Sequence, residues 1–166
     1  MRVHQLMTKP VVTCSSEDTL NDAAQLMWEH DYGAIPVVSK AGELVGIITD
    51  RDIAISAFTQ GCSLHSIRVS TAMARIVHTV DGKASLEDVE DLMRSKRVRR
   101  VPVVENGGRP IGLISLTDLA RHANAPTQRL PHVDRMVVET LASIGEPHGQ
   151  VSETSNEEQP LPRVNA

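Results

Sequence analysis

Two short stretches carry the residue types that could do chemistry. The first is Gly46-Ile47-Ile48-Thr49-Asp50-Arg51-Asp52 and the second is Gly112-Leu113-Ile114-Ser115-Leu116-Thr117-Asp118. In each, apolar residues run into a hydroxyl, and a carboxylate follows three residues later. Such a run reads as a strand feeding a helix N-terminus. The junction gathers unpaired backbone N–H groups and the positive end of the helix dipole, which favour an anion. A carboxylate accepts two hydrogen bonds and so suits a vicinal diol such as a ribose. The chemistry on offer is therefore to hold a sugar and a phosphate rather than to break bonds. Thr and Asp at this spacing are also ordinary helix caps, and that reading stands beside the first.

The two stretches are related by adding 66 to each number, and the match extends without a gap on both sides. Met7 falls on Met73, Leu20 on Leu86, Leu26-Met27 on Leu92-Met93, Pro36-Val37-Val38 on Pro102-Val103-Val104, and Ala57 on Ala123. Two repeats are too few for a solenoid. A pair with pseudo-two-fold symmetry, each half covering the other's apolar face, is the simpler arrangement.

The elements that must position the two stretches follow from periodicity. Each repeat reads as strand, helix, strand, strand, helix, which makes the fold class α/β. In the first repeat the strand is Val11 to Thr13, and Ser15, Ser16 and Asp18 offer caps for a helix from Thr19 to His30. Leu20, Ala23, Ala24 and Met27 of that helix share one face, and Gly33 is expected to stop it. Ala34 to Val38 contains Pro36, which cannot donate to a ladder, so an edge or irregular strand is expected. Lys40-Ala41-Gly42 turns the chain into Leu44 to Ile48, and a helix runs from Asp50 to Phe58. In the second repeat the corresponding elements are Val77 to Thr79, Ser85 to Lys96, Arg100 to Val104, a hairpin at Asn106-Gly107-Gly108, Ile111 to Ile114, and Leu116 to Ala123. Residues 1–58 and 69–124 form the two units, with 59–68 as linker. A C-terminal helix is expected in 125–145, with Val133, Met136, Val137, Leu141 and Ile144 on one face. A polar, disordered tail is expected in 146–166.

Composition bounds the function. The 166 residues are 40% hydrophobic but only 2% aromatic, so the core is aliphatic. A net charge of −4 argues against a nucleic-acid partner, and three aromatics make no stacking platform. No apolar stretch has the length of a membrane span, and the N-terminus lacks a signal-peptide core. A cytoplasmic protein with reduced thiols is expected. The seven histidines and two cysteines lack metal-ligand spacing, so no metal is expected. Walker A, GxGxxG and GxSxG motifs are absent, so the common routes to catalysis are missing.

Each repeat resembles a CBS domain. The resemblance rests on Met7 and Met73, the leucine-methionine helices, Ile35-Pro36-Val37-Val38 and Val101-Pro102-Val103-Val104, and the closing GIITDRD and GLISLTD. It covers residues 3 to 124 and is similar to the small bacterial proteins made of a CBS pair alone. It implies a regulatory, non-catalytic module in which two units pack through their sheets. Two clefts shared by the units would bind an adenosine-containing ligand: AMP, ADP, ATP, S-adenosylmethionine or NAD(H). Carried over residue by residue, the first cleft takes Thr49 and Asp52, with Thr79, Val80, Arg99, Arg100, Val101 and Pro102. The second takes Ser115 and Asp118, with Val12, Thr13, Gly33, Ala34, Ile35 and Pro36. Arg99 and Arg100 fall on Gly33 and Ala34 under the repeat, so the first cleft is expected to prefer polyphosphates. Arg51 and Arg121 lie near enough to reach phosphate, or to sit on exposed helix surface. The resemblance also implies a homodimer, through the helices opening at Leu20 and Leu86 and those following Asp52 and Asp118. The alternative is a scaffold that regulates an unidentified enzyme or transporter without a ligand of its own. An enzyme with an unrecognised site, such as slow nucleotide turnover, is a third reading with no nucleophile to support it.

Overall fold

The computed structural model describes residues 1–105, 108–123 and 131–145. The expected turn residues Asn106 and Gly107, the tail from 146, and the side chains of Val133 and Met136 lie outside the described residues.

The chain builds two three-stranded sheets. In the first unit, β1 (Cys14–Ser15) pairs parallel with β2 (Ala34–Val38), and β2 pairs antiparallel with β3 (Leu44–Thr49). The helices are α1 (Leu20–His30) and α2 (Asp50–Gln60). After the short α3 (Val69–Ala72), the second unit repeats the order with β4 (Val80–Asp81), α4 (Leu86–Lys96), β5 (Arg100–Glu105), β6 (Arg109–Ser115) and α5 (Leu116–Ala123). The chain then forms α6 (Pro131–Gly145). The expected α/β order holds in both halves.

Three local expectations change. Pro36 lies on the central strand of its sheet, not at an edge, and that strand is irregular, with its register shifting between Val37 and Val38. The register explains why this is tolerated: β1 pairs only with Val37 and Val38, and β4 only with Val103 and Val104. The parallel ladder begins one residue after each proline, so the missing N–H falls where no partner strand runs. The same fact moves the first strands from Val11–Thr13 and Val77–Thr79 to Cys14–Ser15 and Val80–Asp81. The cap of α1 is Thr19 rather than Ser15, Ser16 or Asp18, and Asp31, in the left-handed conformation at φ 54°, ends the helix before Gly33 is reached. Arg97 ends α4 in the same way at φ 52°.

The core has two aliphatic clusters, and each borrows from the other repeat. Val3 and Met7, which lead the first repeat, are buried with Val89, Met93, Val101, Val103, Ile114 and Leu119 of the second. Ile67, Val69 and Met73, which precede the second repeat, are buried with Leu20, Ile35, Val37 and Ile48 of the first. Paired backbone bonds fix the exchange. Thr8 N donates to Leu113 O at 2.8 Å and Leu113 N to Thr8 O at 3.2 Å; Ile47 and Ala74 bond reciprocally at 3.0 and 2.9 Å.

Helix α6 packs on α4 and α5 and adds to the second unit's cluster. Val137 and Thr140 are buried there, whereas Leu141, expected on the inner face, is exposed. Among the described residues no helix covers the corresponding α1–α2 face of the first unit, where Trp28 and Phe58 are at 89% and 85% exposure.

Candidate functional site

Both hydroxyl–carboxylate pairs form capping boxes. At α2 the Thr49 amide and hydroxyl donate to Asp52 Oδ2 at 2.9 and 2.7 Å, and the Asp52 amide donates to Thr49 Oγ1 at 3.2 Å. At α5 Ser115 and Asp118 do the same at 2.8, 2.6 and 3.2 Å. The plain capping reading is thus true, but it is not the whole account. Thr19–Asp22 and Ser85–Asp88 make the same box at α1 and α4 on exposed surface. There the amide and hydroxyl bonds of Thr19 and Ser85 hold both carboxyls below the usual range. What distinguishes Thr49–Asp52 and Ser115–Asp118 is where they lie: each borders a cavity.

The first cavity has a volume of about 760 Å³. Thr49, Asp52, Arg99, Arg100 and Pro102, all expected there, line it together. Thr79, Val80 and Val101 do not. Val101 is fully buried in the core, Val80 packs against that core, and Thr79 is exposed one residue before β4 begins. The wall is made instead by Ile76, Val77 and His78, which precede the shortened strand, with Ile47 facing them. Ile76 stays 83% exposed on the rim, an apolar surface suited to a flat base. The same lining includes Arg51, Arg97, Arg99 and Arg100, with Asp50 and Asp52.

The second cavity is smaller, about 400 Å³. Of its expected residues, Ser115, Asp118 and Gly33 line it. Ala34 and Ile35 are fully buried and Pro36 is buried, so their side chains belong to the core. Val12 and Thr13 are half-buried and outside the lining. Thr8, His30, Asp31, Tyr32, Leu113, Thr117, Arg121 and Arg100 take their place. The apolar wall of the first cavity has little counterpart here. Charges differ too at positions related by 66: Arg97 falls on Asp31, Arg99 on Gly33 and Arg51 on Thr117. The first cavity has four guanidiniums against two carboxylates. The second has Arg100 and Arg121 against Asp31 and Asp118, and Asp118 lies 3.9 Å from Arg121.

Arg100 needs correcting as a mark of difference between the clefts, since it lines both. Sequence reasoning placed it in one cleft because the repeat offset shows which residues correspond, not how far a long side chain reaches. It took Arg97 for solvated surface near a helix C-terminus and did not name Asp31; both hold left-handed backbone at helix ends beside the cavities. Cys14, close in sequence to the second cleft, is buried, and burial pushes its thiol up to about 12, which makes it inert.

No helix among the described residues is long and apolar enough to cross a membrane. No group of three or more His, Cys, Asp or Glu among them could hold a metal ion.

The comparisons with known proteins agree with this architecture. The CBS domain profile matches residues 3–57 and 69–125. The CBS domain-containing protein YhcV of Bacillus subtilis is 40% identical over 118 residues, which cover 71% of this chain and 82% of YhcV. The CBS domain pair of protein MJ0100, solved in complex with 5'-methylthioadenosine and S-adenosyl-L-methionine, superposes with a TM-score of 0.66 at 30% identity, covering 73% of this chain and 94% of that one. Hypoxic Response Protein I, solved with two coordinated zinc ions, gives a TM-score of 0.66 at 33% identity, covering 74% of this chain and 98% of that one. With two matched repeats, exchanged lead segments and two cavities bordered by the repeated Thr/Ser–Asp pair, the chain belongs to the CBS domain family as a tandem pair.

Proposed function

We propose that the protein is a non-catalytic regulatory module that senses an adenosine-containing ligand, with the larger cleft as the main site. The observation that carries this reading is the make-up of that cleft. Ile47, Ile76, Val77 and Pro102 line a single cavity together with Asp52 and four arginines. The wall suits a purine, the free lone pairs of Asp52 suit a ribose, and guanidiniums suit phosphate oxygens bidentately. The excess of arginine favours a polyphosphate such as ADP or ATP over a neutral nucleoside. The adenosine ligands of the MJ0100 pair support the class of ligand. The smaller, charge-balanced cleft suits a less charged adenosine compound.

The test is thermal unfolding with AMP, ADP, ATP, S-adenosylmethionine and NADH. A ligand at a hundred times its dissociation constant adds about 2.7 kcal/mol and raises the midpoint by several degrees. Asp52→Ala separates site from cap when run beside Asp22→Ala. Each variant loses one capping box and about 1 kcal/mol of stability, but only Asp52→Ala is expected to lose the nucleotide-induced shift. If no nucleotide stabilises the wild type, the sensor reading falls and the ligand-free scaffold replaces it.

The homodimer belongs to the same proposal, through the α1–α2 face, since α6 covers α4 and α5. Trp28→Ala with Phe58→Ala removes two aromatics that bury almost nothing within the chain. Stability of the monomer is expected to change by less than about 0.5 kcal/mol, while sedimentation equilibrium shifts from dimer to monomer. A wild type that sediments as a monomer would remove this part of the proposal.

A further inference from the structure

One arginine serves two sites. Arg100 opens β5, and its Cα lies opposite Ser115, the cap residue of the smaller cleft. Its guanidinium reaches Gly33 in the other unit. A Cβ added at Gly33 would lie 2.3 Å from Arg100 Nη2, 3.0 Å from Cζ and 3.2 Å from Asp50 Oδ2. Gly33 does not have positive φ, so its lack of a side chain serves this close approach rather than a turn. The side chain is half-buried on the boundary and lines both cavities. No hydrogen bond or ion pair with another described residue holds the guanidinium. Ala34 stands at the related position of the first repeat, so the repeat supplies no second arginine there.

We infer that Arg100 couples the two clefts negatively. A phosphate bound in either cleft draws the guanidinium into bidentate contact on its own side. The other cleft then loses the cation, and a second phosphate-bearing ligand binds more weakly. Linkage makes the effect reciprocal. The pair then answers to the first anion that arrives and resists the second, which gives it a response spread over a wider range of ligand concentration than two independent sites.

This inference rests on the nucleotide reading above, and the experiment separates the two. The full chain is titrated calorimetrically with ADP as wild type, Asp52→Ala, Arg100→Met, and the double variant. With the larger cleft disabled by Asp52→Ala, the smaller cleft is expected to bind ADP at least about fivefold more tightly than in the second step of the wild-type titration. The corresponding difference between Arg100→Met and the double variant is expected to be less than about twofold, because the shared cation is gone. Heat from the smaller cleft that appears only in Asp52→Ala is the extreme form of support. Equal affinity of the smaller cleft with and without Asp52 overturns the coupling and leaves the nucleotide reading intact. Absence of ADP binding in every form overturns the coupling and the polyphosphate preference of the larger cleft, while the adenosine-sensor reading falls only if the rest of the nucleotide panel also fails to bind. The comparison of wild type with Asp52→Ala stands even if Arg100→Met does not fold.

Discussion

Replacing Glu90 with glutamine is expected to stabilise the fold by about 1–3 kcal/mol at pH 8 and to change it little at pH 4.5. Glu90 lies on α4 and is 2% exposed, and its Oε1 has no hydrogen-bond partner among the described residues. Burial is the main cause that raises its carboxyl from 4.5 to about 7; Glu87 and Asp91 push the same way, and Arg94 opposes them. The sign follows from proton counts. Between pH 4.5 and 7 the folded chain keeps the Glu90 proton while the unfolded chain releases it, so stability falls as pH rises through that window. Above pH 7 the cost is complete and constant. Glutamine keeps the shape and removes the charge. Urea denaturation at pH 4.5, 6 and 8 checks it: the gap between variant and wild type should open between the first and last values. A constant gap across all three would show that Glu90 is not the titrating group.

The second large effect is expected at Gly112. A Cβ there would sit 2.3 Å from Met7 Sδ, 2.7 Å from Cγ and 3.2 Å from Cβ. Because the contact includes the root of the methionine side chain, a rotation of its tip does not relieve it. Met7 is 9% exposed and part of the second unit's core, so Gly112→Ala pushes a core residue outward. Overpacking of this kind costs about 1–3 kcal/mol, and the upper end is expected here. Gly46→Ala meets Met73 Sδ at 2.5 Å and the Ala74 carbonyl oxygen at 3.0 Å, the same oxygen that accepts from Ile47 N. A double-mutant cycle isolates the cause. Met7→Ala alone should cost about 2–5 kcal/mol. The double variant should cost less than the sum by at least about 1 kcal/mol, since the clash is gone. Strict additivity would mean that Gly112 matters for another reason.

Those two glycines also show how much was legible beforehand. Their recurrence at a fixed offset was plain, and with it the order of elements, the family and the cap pairs. The reason for them was not plain, because it lies in a methionine from the opposite repeat, and apolar periodicity shows that a residue is buried without showing against what. Pro36 misled in a similar way as to the edge. A missing N–H predicts a strand without a neighbour there, and an edge is the usual solution. Here the neighbour strand starts one residue later. That late start is also why Ile76, Val77 and His78, and not Thr79 and Val80, line the larger cleft. In the cleft itself, the motif residues Thr49, Asp52, Ser115 and Asp118 were legible. The reach of Arg100 and the inverted charge at Arg97 and Asp31 depend on side-chain length and helix endings, which spacing alone does not carry.

The exchanged lead segments make the repeat a unit of sequence without making it a unit of folding. A chain cut after residue 66 would give a first half without Val69 and Met73 and a second half without Val3 and Met7, so each half would lack buried residues of its own core. The halves therefore stand or fall together, and the smallest autonomous piece is the pair. Binding energy gained in one cleft spreads through both cores, which lets a small molecule held at one end set the persistence of the entire fold.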